Sequence, residues 1–283
     1  MSIKIIFIIL FLSITLNANE RIISLSPSIT EIIYALEKGD SLVGTSSFSL
    51  YPKQAQKLPI VGSYQSPNIE RILALEPTLV IGQTFNQSTL EKLKYLNLPL
   101  KYKIKTLMLN LDNIKNIKQS ITNLASIINS NKAKELIKSI DTQIKDVPKN
   151  IAPHSVMIVY GLREDLRSST YIAGHNIFFE DIIKLSGNKN AYSSNSTSQP
   201  VLNYENIIAL NPDQIIILHS HATEPNVNMK KALKAWYYIP TNASRNKNIS
   251  IVDEDYLHIP SHRVALTIKR LFFEMNHNYK KRN

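Results

Sequence analysis

The amino-acid sequence predicts an α/β protein with two doubly wound lobes, each built on a mostly parallel sheet, joined by one long backbone helix. Two observations predict this fold. In the first and last parts of the chain, short apolar runs alternate with segments of helical period, as in a parallel sheet covered by helices. From residue 113 to residue 147 the helical period continues without an intervening strand. A chain of 283 residues is long enough for two such lobes.

The first lobe is expected over residues 19–112. Ser28 and Glu31 have the spacing of a capping box, which predicts the start of a helix. A later helix is stopped by Pro77. The predicted strands are Arg21–Leu25, Ser41–Gly44, Leu79–Ile81 and Leu100–Ile104, and the later predicted helices are Asn68–Leu75 and Ser88–Leu96.

The connecting segment, residues 113–147, has apolar residues at helical spacing, beginning with Ile114, Ile117 and Ile121. Only Asn129–Asn131 weakens the pattern, so we predict one long helix with a single point at which it could break. A helical connector is expected to resist large closure of the two lobes.

The second lobe is expected over residues 148–283, where the alternation of strands and helices resumes. Gly187 follows a predicted helix, as a C-terminal glycine often does. The predicted strands are Val156–Tyr160, Gln214–Leu218 and Ile249–Val252, and the predicted helices are Asn176–Leu185, Asn203–Leu210, Met229–Trp236 and Ser261–Met275.

The composition excludes several classes of site. The chain has no cysteine, which rules out disulfides, thiolate metal sites and cysteine nucleophiles. No glycine-rich phosphate loop, serine-hydrolase elbow or H-E-x-x-H pattern occurs. The formal net charge of +11 permits an anionic partner without identifying one.

Residues 1–18 have the pattern of a secretory signal peptide. Lys4 precedes an apolar run from Ile5 to Leu12 that is too short to span a bilayer. We expect cleavage after Ala18, and the remaining alternative is an uncleaved membrane anchor. A secreted chain without cysteines is typical of a bacterial periplasm.

The chain contains an internal repeat. The sequence NIERILALEPTLVI at 68–81 matches NYENIIALNPDQII at 203–216 in 7 of 14 positions, at an offset of 135 residues. Either the match is convergent, or the lobes are equivalent halves across a cleft, a preferred place for ligands. Glu70 and Glu205 occupy the same place in both copies. They could stabilise a helix dipole or meet arginines of a two-fold partner.

The sequence resembles the periplasmic binding proteins for cobalamin, iron-siderophores and heme. In the first lobe the matching runs are RIISLSPSITEIIYAL, LVGTSSFSLYPKQAQKLPIVGSY and NIERILALEPTLVI, and in the second lobe GHNIFFEDIIKLSGNKNAY, the repeat at 203–216 and DEDYLHIPSHRV. The resemblance implies two α/β lobes with little closure on binding. It also implies that Glu70 and Glu205 dock on a dimeric membrane permease of an ABC importer.

Candidate ligand residues follow partly from this resemblance. Tyr64 and Phe48 of the first lobe lie where the family carries cleft-facing residues. In the second lobe, His219 and His221 follow one predicted strand, and Tyr256 and His258 follow another. These four could reach the metal of a bound chelate. Arg163, with Arg167, could meet an anionic group or pair with Glu164 and Asp165.

The resulting interpretation is a monomeric periplasmic receptor without enzymatic activity or an intrinsic cofactor. Its ligand would be a chelate of cobalt or iron, namely cobalamin or a related corrinoid, a ferric siderophore or heme. The alternatives are a direct binder of free nickel, zinc or manganese, which needs three or four converging ligands, and a periplasmic hydrolase. No nucleic-acid partner is expected, because no basic-aromatic motif occurs.

Overall fold

The structure, a computed structural model, describes residues 20–96, 103–145, 152–166, 169–194, 198–221, 224 and 226–280, with side chains up to residue 276. The predicted signal peptide and Arg167 lie outside these residues. Within them, no helix is both long and apolar enough to cross a membrane.

The first lobe is a parallel sheet with helices packed against it, as predicted. Its strands lie in the order β2-β1-β3-β4. Its elements in chain order are β1 (Ile22–Ser24), α1 (Pro27–Ala35), β2 (Leu42–Thr45), α2 (Ile69–Ala74), β3 (Leu79–Gln83), α3 (Gln87–Leu96) and β4 (Lys105–Leu109).

One prediction for this lobe falls partly outside the described residues, and one is wrong. Residues 100–102 of the strand predicted at Leu100–Ile104 are not among the described residues, and the described edge strand β4 begins at Lys105. The predicted capping box is absent: helix α1 is capped by Ser26, whose hydroxyl accepts from the Ile29 N–H at 3.3 Å. Glu31 is therefore free of a capping role and is buried, with 1% of its surface exposed.

The connector is helical but is not one helix. It forms α4 (Ile114–Ile127) and α5 (Ala133–Lys145), separated at the place where the apolar pattern weakens. Asn129 has a left-handed φ of 52°, and the Ser130 N–H donates to the Ala125 carbonyl at 2.8 Å, which is the Schellman arrangement that ends a helix. The Ser130 hydroxyl donates to the Leu36 carbonyl at the end of α1. The break thus attaches the connector to the first lobe.

The second lobe contains a larger, mixed sheet in the order β10-β9-β5-β6-β8, with β7 beside β5. Strands β6 and β8 are antiparallel additions to a parallel core. The elements are β5 (Ser155–Tyr160), β6 (Thr170–Ile172), α6 (Phe178–Leu185), β7 (Lys189–Asn190), β8 (Val201–Leu202), α7 (Tyr204–Leu210), β9 (Gln214–His219), α8 (Met229–Tyr237), α9 (Asn242–Arg245), β10 (Ile249–Asp253) and α10 (Val264–Lys280).

The internal repeat corresponds to a repeat in topology. The parallel strands β7-β5-β9-β10 of the second lobe follow the same order as β2-β1-β3-β4 of the first. The two copies of the sequence repeat form α2 with β3 and α7 with β9. Both helices are capped by asparagine, since Asn68 accepts from the Arg71 N–H and Asn203 from the Asn206 N–H, each at 2.8 Å.

One hydrophobic core joins the lobes. The same cluster of buried side chains includes Ile29 and Ile32 of α1, Ile117 of α4, Phe179 of α6 and Ile268 of α10. Because these helices share one core, moving the lobes as rigid bodies would expose apolar surface to water. Limited closure is therefore expected from packing as well as from the helical connector.

The break between α4 and α5 yields a stability prediction. Asn129→Ala should lower the free energy of unfolding by about 1 kcal/mol, because alanine tolerates the left-handed conformation less well than asparagine. Asn129→Gly should leave it nearly unchanged, since glycine adopts this conformation without a Cβ clash. Urea denaturation measures both. Asn123→Ala, an exposed position inside α4, is the control and should not destabilise the protein. A loss at Asn129→Gly equal to that of alanine would contradict this account of the break.

Candidate functional site

The two lobes meet at loops that follow the carboxyl ends of their parallel strands. Tyr51, in the loop after β2, lies beside His262, in the loop after β10, with ring centroids 6.5 Å apart. Ligands of open α/β sheets bind at the carboxyl ends of the strands. The candidate site is therefore the cleft bordered by these loops of the first and second lobes.

A buried ion pair joins the two lobes next to this contact. The Glu31 carboxylate of α1 accepts from Arg263 through Nε at 2.9 Å and through Nη2, and from the Ser261 hydroxyl at 2.5 Å. Burial raises the pKa of Glu31, and the hydrogen bonds and charge of Arg263 oppose that shift. The guanidinium also lies against the Tyr51 ring, with Cζ 4.1 Å from the ring centroid.

The rim of the first lobe carries exposed aromatic rings. Tyr64 and Phe85 form an edge-to-face pair with centroids 5.7 Å apart, and about half of the Phe85 surface is exposed. The Asn86 side-chain amide donates to the Tyr64 carbonyl at 2.7 Å, which ties the loop of Tyr64 to the end of β3. Phe48 is similarly exposed and has a left-handed φ of 64°. The structure thus places both predicted first-lobe residues on loops that follow strands, and joins Tyr64 to Phe85.

A network of buried hydroxyl groups supports this rim. Thr30 of α1 bonds the Thr45 hydroxyl at the end of β2 at 2.7 Å, and Thr45 donates to Ser49 at 2.8 Å. Thr30 also donates to Ser24 at the end of β1 at 2.9 Å. Hydrogen-bonded networks of buried polar groups favour one geometry. This network therefore holds the loop that carries Phe48 and Tyr51 against α1 and the end of β2.

The rim of the second lobe carries histidines. His219, at the end of β9, is buried with 1% exposed, whereas His221 is exposed, and their rings stack with centroids 6.4 Å apart. His258 packs against the Tyr160 ring at 5.7 Å. Burial, with a smaller contribution from the charge of His219, lowers the pKa of His258 to about 4. A neutral imidazole at neutral pH is the form that binds metals.

The four candidate metal ligands do not form one cluster. The Tyr256 ring lies 5.5 Å from Cζ of Arg263, and burial raises the pKa of Tyr256. The His219 Nδ1 lies 3.5 Å from an Asp253 oxygen, which also accepts from the His221 N–H. In the part of the chain that the structure describes, no three His, Cys, Asp or Glu side chains are arranged to hold a metal ion.

Arg163 lies exposed on the loop after β5, as predicted. Glu164, one of the two acids of the alternative pairing, accepts from Lys231 at 2.8 Å and from the Asn228 N–H at 2.9 Å. These bonds, with that of the Leu162 N–H to Glu224, join the loop after β5 to the segment before α8.

Glu70 and Glu205 are both exposed in the first turn of α2 and α7. The asparagine cap in front of each helix explains part of this position, because a carboxylate there favours the helix dipole. The equivalent places of the two carboxylates in the repeated topology are what a two-fold partner would require.

Sequence reasoning missed three residues of the cleft. Phe85 stands alone among polar residues after β3, and Tyr51 lies within one of the runs that resemble the family without a pattern of its own. Arg263 was counted in the predicted final helix, and no sequence pattern links it to Glu31, since the two are separated by 232 residues. The position of Phe85 after a buried strand was the one available signal.

Comparisons with known proteins agree with this architecture. The vitamin B12-binding protein of Yersinia pseudotuberculosis serotype O:1b (strain IP 31758) is 27% identical over 277 residues, covering 96% of this chain and 91% of the relative. The crystal structure of the periplasmic vitamin B12-binding protein of Vibrio cholerae superposes with a TM-score of 0.71 at 25% identity, covering 92% and 98% of the two chains.

A heme-binding protein shares the fold as well. The periplasmic heme-binding protein RhuT from Roseiflexus sp. RS-1 superposes with a TM-score of 0.72 at 23% identity, covering 92% of this chain and 99% of that chain. The sequence profile of the family described as periplasmic binding protein matches residues 22–256, which include both sheets and the connector. The chain therefore belongs to the periplasmic binding protein family.

Proposed function

We propose that this chain is the substrate-binding protein of an ABC importer, which captures a metal-containing chelate and delivers it to a membrane permease. The observation that carries the proposal is the pairing of two different rims at one cleft. The first lobe offers the exposed rings of Phe48, Tyr64 and Phe85, which suit a large flat ligand. The second lobe offers imidazoles at the ends of β9 and β10.

Cobalamin or a related corrinoid is the first ligand to test, since relatives named as vitamin B12-binding proteins cover almost the whole chain. Heme and ferric siderophores are the other candidates. The imidazoles of His258 and of His219, which lies beside Asp253, could meet the cobalt or iron of the ligand. Arg163 could meet an anionic substituent. The metal belongs to the cargo, and we propose no resident cofactor.

Two alternative functions can be distinguished from this proposal by experiment. A direct binder of free nickel, zinc or manganese would need at least three converging protein ligands. Within the described ranges such a group is not formed, so no observation favours this alternative. A periplasmic hydrolase would show turnover, whereas the relatives are named as binding proteins.

We place the mature protein in the periplasm as a monomer, after removal of residues 1–18 by cleavage behind Ala18. The names of the structural relatives support this location. We further propose that Glu70 and Glu205 contact basic residues of a permease dimer, one carboxylate from each lobe.

The ligand proposal predicts a saturable one-to-one response of the mature protein to one chelate. Visible absorption and Trp236 fluorescence should be titrated in parallel with cyanocobalamin, hemin, a ferric catecholate and nickel chloride. Tyr64→Ala and Phe85→Ala should each weaken the affinity for the responding chelate by roughly tenfold, as expected for loss of an aromatic contact worth about 1.4 kcal/mol.

Tyr95→Ala is the matched control, because Tyr95 is an exposed ring of the same lobe on α3, outside the cleft loops. It should leave the affinity unchanged. A response to nickel alone would move the protein to the class of direct metal binders. Equal losses in Tyr64→Ala and Tyr95→Ala would remove the first-lobe rim from the ligand site.

The docking proposal predicts that Glu70→Arg with Glu205→Arg abolishes uptake of the ligand without changing its affinity for the isolated protein. The physical reason is repulsion between the introduced cations and the basic residues of the permease. Uptake of labelled ligand by cells that carry the native importer measures the effect. Glu91→Arg, an exposed reversal on α3, is the control. Normal uptake by the double variant would disprove the docking role.

A further inference from the structure

Three separate parts of the chain meet on the Arg263 side chain, directly before α10. Glu31 of the first lobe accepts from its Nε and Nη2. The Tyr51 ring of the first lobe lies 4.1 Å from Cζ, and the Tyr256 ring of the second lobe lies 5.5 Å from Cζ. One guanidinium therefore contacts both lobes at the cleft.

The geometry uses the particular shape of arginine. Hydrogen bonds to a carboxylate lie in the plane of the guanidinium, so its flat faces stay available for aromatic rings. Glu31 is fixed in turn, because it is almost fully buried and also accepts from the Ser261 hydroxyl. A lysine could keep the charge beside Glu31 but could not provide the flat faces.

We propose that Arg263 is a positioning residue of the cleft. Through Glu31 it fixes α1 of the first lobe to the start of α10 of the second. Through Tyr51 and Tyr256 it fixes the rings that border the contact between the lobes. The separation of the two rims is thus set before a ligand arrives. This inference concerns the free protein and does not depend on which ligand is bound.

The test is a distance measurement between the lobes in the mature, ligand-free protein. The chain has no native cysteine, so Lys92→Cys on α3 and Lys230→Cys on α8 allow specific spin labelling of two exposed positions. Double electron–electron resonance should give one narrow distance distribution. Arg263→Met and Glu31→Gln should each broaden it and add a population at a different distance, because methionine removes both donors and glutamine removes the negative charge and one of the two acceptor oxygens.

The double variant Glu31→Gln with Arg263→Met should broaden the distribution no more than either single variant, since the two residues act as one unit. Arg270→Met is the matched control: Arg270 lies on α10, which Arg263 directly precedes, and pairs with Glu274 inside that helix. It should keep the narrow distribution. Circular dichroism and cooperative unfolding establish that each variant is folded. A narrow, unshifted distribution in folded Arg263→Met would overturn the proposal.

Arg263→Lys covers the case in which Arg263→Met does not fold. It should broaden the distribution, because the stacked faces are lost while the charge beside Glu31 is kept. An unshifted, narrow distribution in this variant would contradict a role for the rings. Titration with cyanocobalamin adds a second readout that rests on the proposed function, with weaker affinity expected in each broadened variant. If the wild type binds no cyanocobalamin, that ligand is wrong, and the distance measurement still decides the role of Arg263.

Discussion

The carboxylate of Glu31 has left water and lies between two lobes, and this burial constrains the structure around it. Removing a carboxylate from water costs several kcal/mol, and only a well-placed cation with further donors can offset that cost. Arg263 and Ser261 provide both. Because the carboxylate and the guanidinium come from different lobes, satisfying Glu31 requires the lobes to occupy one relative position. The hydrophobic core that both lobes share favours the same relative position of the lobes.

Much of the fold could be predicted because its signals are local. Alternation of apolar runs with helical periods locates β3, β5 and β9 to within one or two residues at each end, since these strands are buried on both faces. The edge strand β4 was not predicted over Lys105–Leu109, because it begins with two polar residues and only its last side chain is buried. The added strands β6 and β8 were missed because each has only two or three residues. Asn129 marked the break in the connector. That the break attaches the connector to the first lobe was not predictable, because it depends on the hydrogen bond from Ser130 to Leu36 at the end of α1.

The candidate site was predictable only where its residues follow a strand or resemble a family pattern. Tyr64 and His219 are such cases. The ion pair is different, because the sequence offered a sufficient local role for Glu31 in a capping box with Ser28. Tertiary structure overrode that role: Ser26 caps the helix, with Pro27 as its first residue, and the carboxylate turns toward the second lobe. A spacing pattern cannot distinguish these outcomes, since it contains no information about a partner more than two hundred residues away.

The repeated topology and the unequal rims correspond to the two roles proposed for this scaffold, docking and ligand binding. Equivalent strands and asparagine-capped helices place Glu70 and Glu205 in matching positions, which is what a symmetric partner would need. The two rims are not equivalent in the same way: the loops of the first lobe present rings on a buried hydroxyl network, whereas those of the second present imidazoles. Because loops vary more freely than the elements they join, ligand choice can change without disturbing the surface proposed for docking.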